Sequence, residues 1–273
     1  MRNETHSHLP PASPRFFRGF ARYARWYLKR HFHALRRHGA VPEVGEGEAL
    51  VVYFNHPSWW DPMVAVVLAS TLFPERTHYG PIEASALERY GFFRRLGFFG
   101  VEPGVAGARR FLRVADELIR RQGTAMWITP EGQFTDPRQR PVRLRPGLGR
   151  LARRAARAGQ GVALVPLALE YPFWEEKYPE ALLTFGEPVR TEEVGEGLGP
   201  EGWDRLLADR LEEAQERLAG AAAEQDREAF MEMLGGSAGV GGVYDLWARA
   251  KAWARGERFE AEHGAVVRRG EKR

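Results

Sequence analysis

Residues 49–62 read ALVVYFNHPSWWDP. The unbroken apolar run Ala49–Phe54 predicts a short strand buried on both faces. Asn55–Trp60 predicts a loop. Asp61 followed by Pro62 predicts an N-cap and a first helical position, opening a helix through about Ser70. A strand that passes through a short loop into a helix is the repeating unit of a helix-covered, parallel sheet.

The same pattern continues downstream. Helices are expected over Ala84–Arg95, over Ala106–Arg121 with Gly123 closing it, and over Leu148–Ala158 with Gly159 closing it. Strands are expected at Phe98–Val101, Thr124–Thr129, Val162–Leu169 and Ala181–Phe185, the last stopped by Gly186 and Pro188. The fold class is therefore α/β, with a mixed, mainly parallel sheet covered by helices. Upstream, residues 1–14 form a polar, Pro-rich leader. Residues 15–38 predict one amphipathic helix ended by Gly39. Phe16, Phe20, Tyr23 and Tyr27 make an aromatic stripe, and Arg18, Arg22, Arg25 and Lys29 repeat the spacing about 200° away around the helix. Downstream lie a linker at 191–202, a long acidic helix at Trp203–Met233 and a Gly-rich joint at Gly235–Gly242. A short helix at Val243–Gly256 with Tyr244, Trp247 and Trp253 follows, then a basic tail from Arg268. This divides the chain into a leader and basic amphipathic helix (1–40), a catalytic-type α/β domain (41–190) and a helical C-terminal extension (191–273).

Composition narrows the chemistry. The chain has 273 residues, 44% hydrophobic and 28% charged, which is a globular balance. There is no cysteine, which excludes disulfides, thiolate metal sites and a thiol nucleophile. The stretch from Met1 to Pro14 has no apolar core, so a secretory signal is not expected, and no apolar run has the length of a membrane-crossing helix. The net charge of +4 hides an asymmetry: residues 1–40 carry +8, residues 191–232 carry −9, and residues 137–158 hold eight Arg and no acid. Basic blocks call for anionic partners. A basic helix with aromatic anchors suits a membrane interface, and it equally suits a surface helix docked on the core by its rings. Phe92–Phe99, FFRRLGFF, has the same mixture and the same two readings.

Two short motifs can carry a reaction. His56 leaves the end of a strand and Asp61 opens the next helix, at the edge where open α/β sheets place their sites. A carboxylate folded back on the imidazole would hold one ring nitrogen protonated and leave the other as a base. Thr129-Pro130-Glu131-Gly132 ends another expected strand. There Glu131 could accept a hydrogen bond from a substrate hydroxyl, and Gly132 could let main-chain N–H groups approach a developing oxyanion. Taken singly, each motif is also an ordinary cap or turn. His31, His33, His38, His78 and His263 have no ligand-like spacing with acids, so no metal is expected.

Together, the H-x4-D block and the later P-E-G turn resemble the glycerolipid (lysophospholipid) acyltransferase family over residues 45–190. The strand Val162–Leu169, with Pro166 inside it, is similar to that family's fourth block. The resemblance implies transfer of a fatty acyl group from an acyl-CoA or acyl-carrier-protein thioester to a lipid hydroxyl, with no cofactor beyond that co-substrate. It implies His56 as general base, Asp61 as its orienting partner, and Glu131 and Gly132 in acceptor binding. Asn55, Ser58 and Pro130 beside these motifs, and Arg143 and Arg145 after the turn, complete the candidate substrate-binding set. Arg145-Pro146-Gly147 resembles the basic residue and glycine that follow the family's third block. The arginines expected to hold an acceptor phosphate are replaced by Pro103 and by Phe134, which favours an acceptor without phosphate, such as a glycosylated isoprenoid alcohol, over lysophosphatidate; Arg109, Arg110, Arg143 and Arg145 are a reserve of charge.

The expected setting is cytoplasmic and peripheral, on the inner face of the cell membrane, with anionic lipids as the contact. Two other classes fit parts of the pattern. One is a hydrolase in which His56 and Asp61 activate water on a thioester. The other is a non-enzymatic binder of anionic lipid or nucleic acid, although no nucleic-acid signature is present and no nucleic-acid partner is expected.

Overall fold

A computed structural model describes residues 8–45 and 47–237. The first elements are α1 (Pro14–His31), β1 (Ala34–His38), β2 (Ala49–Phe54), α2 (Asp61–Leu72), β3 (Thr77–Glu83) and α3 (Ala84–Arg89). A 3-10 turn (Gly91–Leu96), β4 (Phe98–Val101), α4 (Gly104–Ile119), β5 (Thr124–Ile128) and α5 (Leu148–Arg157) follow. The chain continues through β6 (Val162–Glu170), β7 (Glu180–Phe185), β8 (Val189–Arg190), α6 (Thr191–Val194), α7 (Pro200–Glu224) and β9 (Phe230–Gly235).

All nine strands share one sheet in the order β4-β3-β5-β2-β6-β7-β1-β9, with β8 also paired to β6. The run from β4 through β6 is parallel. β7 turns antiparallel to β6, β1 is parallel to β7, and β9 is antiparallel to β1. Pro166 sits where the neighbour of β6 changes from β8 to β7, and its carbonyl accepts from Gly186 N–H. A proline fits there because no ladder donor is demanded of it.

The central strand explains the apolar run that opened the reading. Leu50, Val52 and Phe54 face a core shared with α1 and α2, while Val51 and Tyr53 face a second core under α4, α5 and α7. With both faces covered, every position of β2 must be apolar. The second core is closed by Trp203, Leu207 and Leu211 of α7, all fully buried.

Several boundaries differ from expectation. The helix expected over 15–38 stops at His31, and residues 34–38 are a strand instead. Its two arginines are accommodated by tertiary partners: Arg36 meets Glu180 and Glu232, each at 3.2 Å, and Arg37 donates to Met231. Gly39, at φ 72°, ends that strand rather than a helix. The Ala84–Arg95 helix breaks at Tyr90 into α3 and the 3-10 turn. Asp61 is not the cap of α2; Trp60 holds that place without a side-chain bond, and the carboxylate is turned to the preceding loop. The expected 191–202 linker contains α6. The acidic helix ends at Glu224, where Gln225 adopts φ 51°, and Phe230–Gly235 pairs with β1. β3 and β8 were also not anticipated.

The sheet therefore runs across the boundaries expected at 40 and 190. Gly236 and Ser237, the start of the expected joint, donate to the carbonyls of His33 and Phe32. The rest of that joint, the expected helix Val243–Gly256 and the basic tail lie outside the described residues.

α1 begins at Ser13, whose hydroxyl accepts from Phe16 N–H, with Pro14 next to it. Its inner face is Ala21, Ala24 and Leu28, with Phe17, Phe20 and Tyr27 along the margin. Small residues let the helix lie close to the core, so the aromatic stripe is left at the border. Tyr23 and Trp26 remain 48% and 53% exposed.

Candidate active site

The parallel strands β2, β5 and β6 end at one edge, and the candidate residues leave from there. Asn55 continues β2 by one position. Its carboxamide accepts Leu169 N–H at 2.8 Å and donates to Leu169 C=O at 3.0 Å, so it imitates a strand residue and locks β2 to β6. Both polar atoms of this almost fully buried side chain bond to the frame.

His56 follows. Its N–H donates to Glu131 at 3.1 Å, and its carbonyl accepts from Thr135 N–H at 3.0 Å. The main chain of the histidine is thus clamped by the segment after β5. Its Nδ1 lies 2.6 Å from Asp61 Oδ2. A carboxylate is an acceptor only, so the proton sits on Nδ1 and Nε2 carries the lone pair of the neutral ring. Asp61 is fully buried. Its Oδ2 also accepts Ser58 N–H at 3.1 Å, and its Oδ1 accepts the Tyr171 hydroxyl at 2.6 Å. Ser58 uses its Oγ to accept Trp60 N–H at 3.3 Å, which ties it into the turn.

Glu131 is buried, and burial pushes its carboxyl pKa up, against the opposing pull of the His56 N–H and imidazole and of Thr135. One oxygen is spent on the His56 main chain. Gly132 has φ 65°, and a Cβ there would come within 2.6 Å of Arg145 Cδ and Nε, so the turn is written for glycine. Its N–H is bonded to Thr129 C=O at 3.0 Å and so is not a free donor for an oxyanion. The carbonyl of Pro130 accepts Arg145 N–H at 2.8 Å, which brings the exposed Arg145 against the turn. Arg143 is exposed two residues earlier on the same segment.

The Arg-rich run is partly neutralised. Arg138 makes a two-point bridge to Asp136, and Arg154 pairs with Asp116. Phe134 stands over His56 with ring centroids 4.3 Å apart and is 60% exposed. Pro103 starts α4 at the same sheet edge, but three strands away from β2. Among the described residues no three His, Cys, Asp or Glu side chains group as a metal site.

Tyr171, which donates to Asp61, is the neighbour of the pair that sequence reading missed. β2 and β6 are parallel neighbours with Phe54 opposite Leu167, so residues just past both ends meet. That pairing was the only available signal. Cavities of about 470 and 230 Å³ open at the far edge, beside Glu48, Arg120, Arg154, Gln160 and Arg190. Arg120 is the C-cap residue of α4 and Arg154 lies in the last turn of α5, where cations offset the helix carbonyl ends, so we read them as helix-end charges.

A family model described as Acyltransferase matches residues 34–170. No curated protein sequence matches significantly. Among solved structures, the 1-acyl-sn-glycerophosphate (LPA) acyltransferase, PlsC, from Thermotoga maritima aligns with a TM-score of 0.47 and 15% identity, covering 76% of this chain and 79% of that one.

Proposed function

Since the chain belongs to the Acyltransferase family, we propose that this acyltransferase moves a fatty acyl group from an acyl-CoA or acyl-carrier-protein thioester to a lipid hydroxyl, with His56 as general base. The observation that carries this reading is the 2.6 Å contact of His56 Nδ1 with buried Asp61. It leaves Nε2 as acceptor for a proton. An alcohol is too weak a nucleophile to attack a thioester unaided. As Nε2 takes the hydroxyl proton, the alcohol oxygen bonds to the thioester carbonyl carbon. The C–S bond then breaks, and the imidazolium returns its proton to the departing thiolate. Asp61 keeps the ring in one tautomer and offsets the transient positive charge.

The surroundings support an acceptor without phosphate beside the reacting hydroxyl. Phe134 presents an apolar ring next to the imidazole and cannot donate to a phosphate. Arg145 is the cation on the turn itself and the residue to replace if a phosphorylated acceptor proves better.

The protein would meet its lipid at a membrane surface through α1. No helix of the described residues is long and apolar enough to cross a membrane. Instead, a chain of ring contacts runs from Phe92 through Phe20, Tyr23 and Tyr27 to Trp60 and Trp59, inside the His56–Asp61 loop. Arg30 lies over Trp26 and Arg95 over Phe16, which suits anionic headgroups above an aromatic layer.

The test is thiol release from an acyl thioester, with and without lipid alcohols. Acceptor-stimulated release, reduced about 10²–10⁴-fold in His56→Gln, is expected. Acceptor-independent release would mark a hydrolase, and near-normal turnover of a folded His56→Gln would sink the mechanism. Docking is checked by sedimentation with anionic vesicles. The double variant Tyr23→Ser/Trp26→Ser should stay in solution, whereas deleting residues 15–38 would also remove β1 from the sheet.

A further inference from the structure

We propose that Tyr171 is a positioning residue of the acyl-transfer site, one that sets the basicity of His56 by holding the second oxygen of Asp61. The proposal rests on the reading of His56 as general base. Asp61 has two oxygens with different tasks. Oδ2 takes the imidazole Nδ1–H and Ser58 N–H, and Oδ1 takes the Tyr171 hydroxyl at 2.6 Å. With no exposure to solvent, the carboxylate has only these donors to share its charge. A phenol at this distance draws charge away from the oxygen that faces the histidine. Less charge on Oδ2 means a less stabilised imidazolium, and so a histidine that stays neutral to lower pH. Burial and the Asp61 charge push the Tyr171 pKa well above its usual value, so the phenol remains a donor throughout the working range.

The ring is fixed for this purpose. Tyr171 follows β6 directly, Leu169 is clamped by Asn55, and Phe32 packs on Tyr171 with centroids 5.5 Å apart. Phenylalanine would fill the same space without the hydroxyl. The other charged or titratable groups around the pair are Glu131 after β5, Glu170 next to Tyr171, His31 of α1, whose ring packs on Trp60, and Arg138, Arg140 and Asp136 of the segment after β5, which act on the two glutamates. None of them is altered by the substitution.

The experiment is the pH profile of kcat/KM for Tyr171→Phe. Its acid limb should move up by about 0.5–1 unit, with KM for the thioester within about twofold. Activity on the acid side of the limb should fall about 3–10-fold, the ratio that a shift of this size sets there, and recover at higher pH. An unmoved limb in the folded variant overturns the proposal. If Tyr171→Phe does not fold, 3-fluorotyrosine placed at position 171 keeps the packing and strengthens the donor. The limb should then move down, and no movement is again fatal. His56→Gln is run alongside. If it keeps turnover, the base reading and this proposal fall together. If it is inactive while the Tyr171→Phe limb stays in place, only the role of Tyr171 falls.

Discussion

The two segments that build the site are made on different plans. The loop from Asn55 to Asp61 is short, and nearly every polar group in it is paired: Asn55 to Leu169, Ser58 to Trp60, and Asp61 to His56, Ser58 and Tyr171. The segment from Thr129 to Gly147 contains no helix or strand. It touches the first loop through two main-chain bonds to His56 and one ring, and it leaves Phe134, Arg143 and Arg145 exposed. The first plan holds the His56 imidazole in one orientation, as the proposed general base requires. The second offers side chains that can change without disturbing it, as recognition loops on a rigid scaffold do. Changes in the first should act on kcat, and changes in the second on acceptor KM.

Asp61→Asn should give the largest effect. An amide can turn its NH2 toward the histidine and select the wrong tautomer, so kcat should fall about 10²–10⁴-fold with little change in KM. A loss confined to KM would break the contrast between the segments. Next is a control on pH. His78 is buried on β3 and neutral: its Nε2–H donates to Phe73 C=O, and its Nδ1 accepts from Trp127. Burial lowers its pKa from 6.5 to about 4. The unfolded chain takes up a proton below about pH 6.5 that the folded chain refuses until about pH 4. Stability is therefore full above pH 6.5 and declines across that window, by roughly 3 kcal/mol at most. Thermal melts from pH 7 to 4 check this and separate acid unfolding from titration of His56. A flat melting temperature would exclude it.

Gly132→Ala should cost about 1–2 kcal/mol, because it forces both a left-handed alanine and a displaced Arg145. Acceptor KM should rise while the acid limb of the rate profile stays in place. Phe134→Ala is the mildest. Losing one ring contact should raise acceptor KM about 2–10-fold, and competitive turnover of a neutral lipid alcohol against lysophosphatidate should move toward the phosphate. An equal loss on both acceptors would make Phe134 a lid rather than a selector.

The contrast also explains what the sequence made legible. His56 and Asp61 were readable because a strand end and a helix start are local signals that fall within one short loop. The strand before them and the helix after them were readable for the same reason. Tyr171 was not, since its partner is distant in sequence and meets it only through the β2–β6 register. Asn55 and Ser58 sit in the same motif as His56, and their bonds to Leu169 and Trp60 could not be read from spacing alone. Arg36 and Arg37 fell inside the expected helix because their partners, Glu180, Glu232 and Met231, lie far along the chain. Thr77–Glu83 was overlooked because Gly80 and Pro81 interrupt it, and both are uncommon inside strands.

The position of β1 between β7 and β9 has a consequence for how the molecule is born. At about 5–20 residues per second, His38 leaves the ribosome on the order of 10 s before Glu180 is made. Throughout that interval β1 has no neighbour to pair with. The basic, aromatic α1 is then tethered to nascent chain without its seat, and free to find a lipid surface first. The last described strand to be synthesised closes over the first.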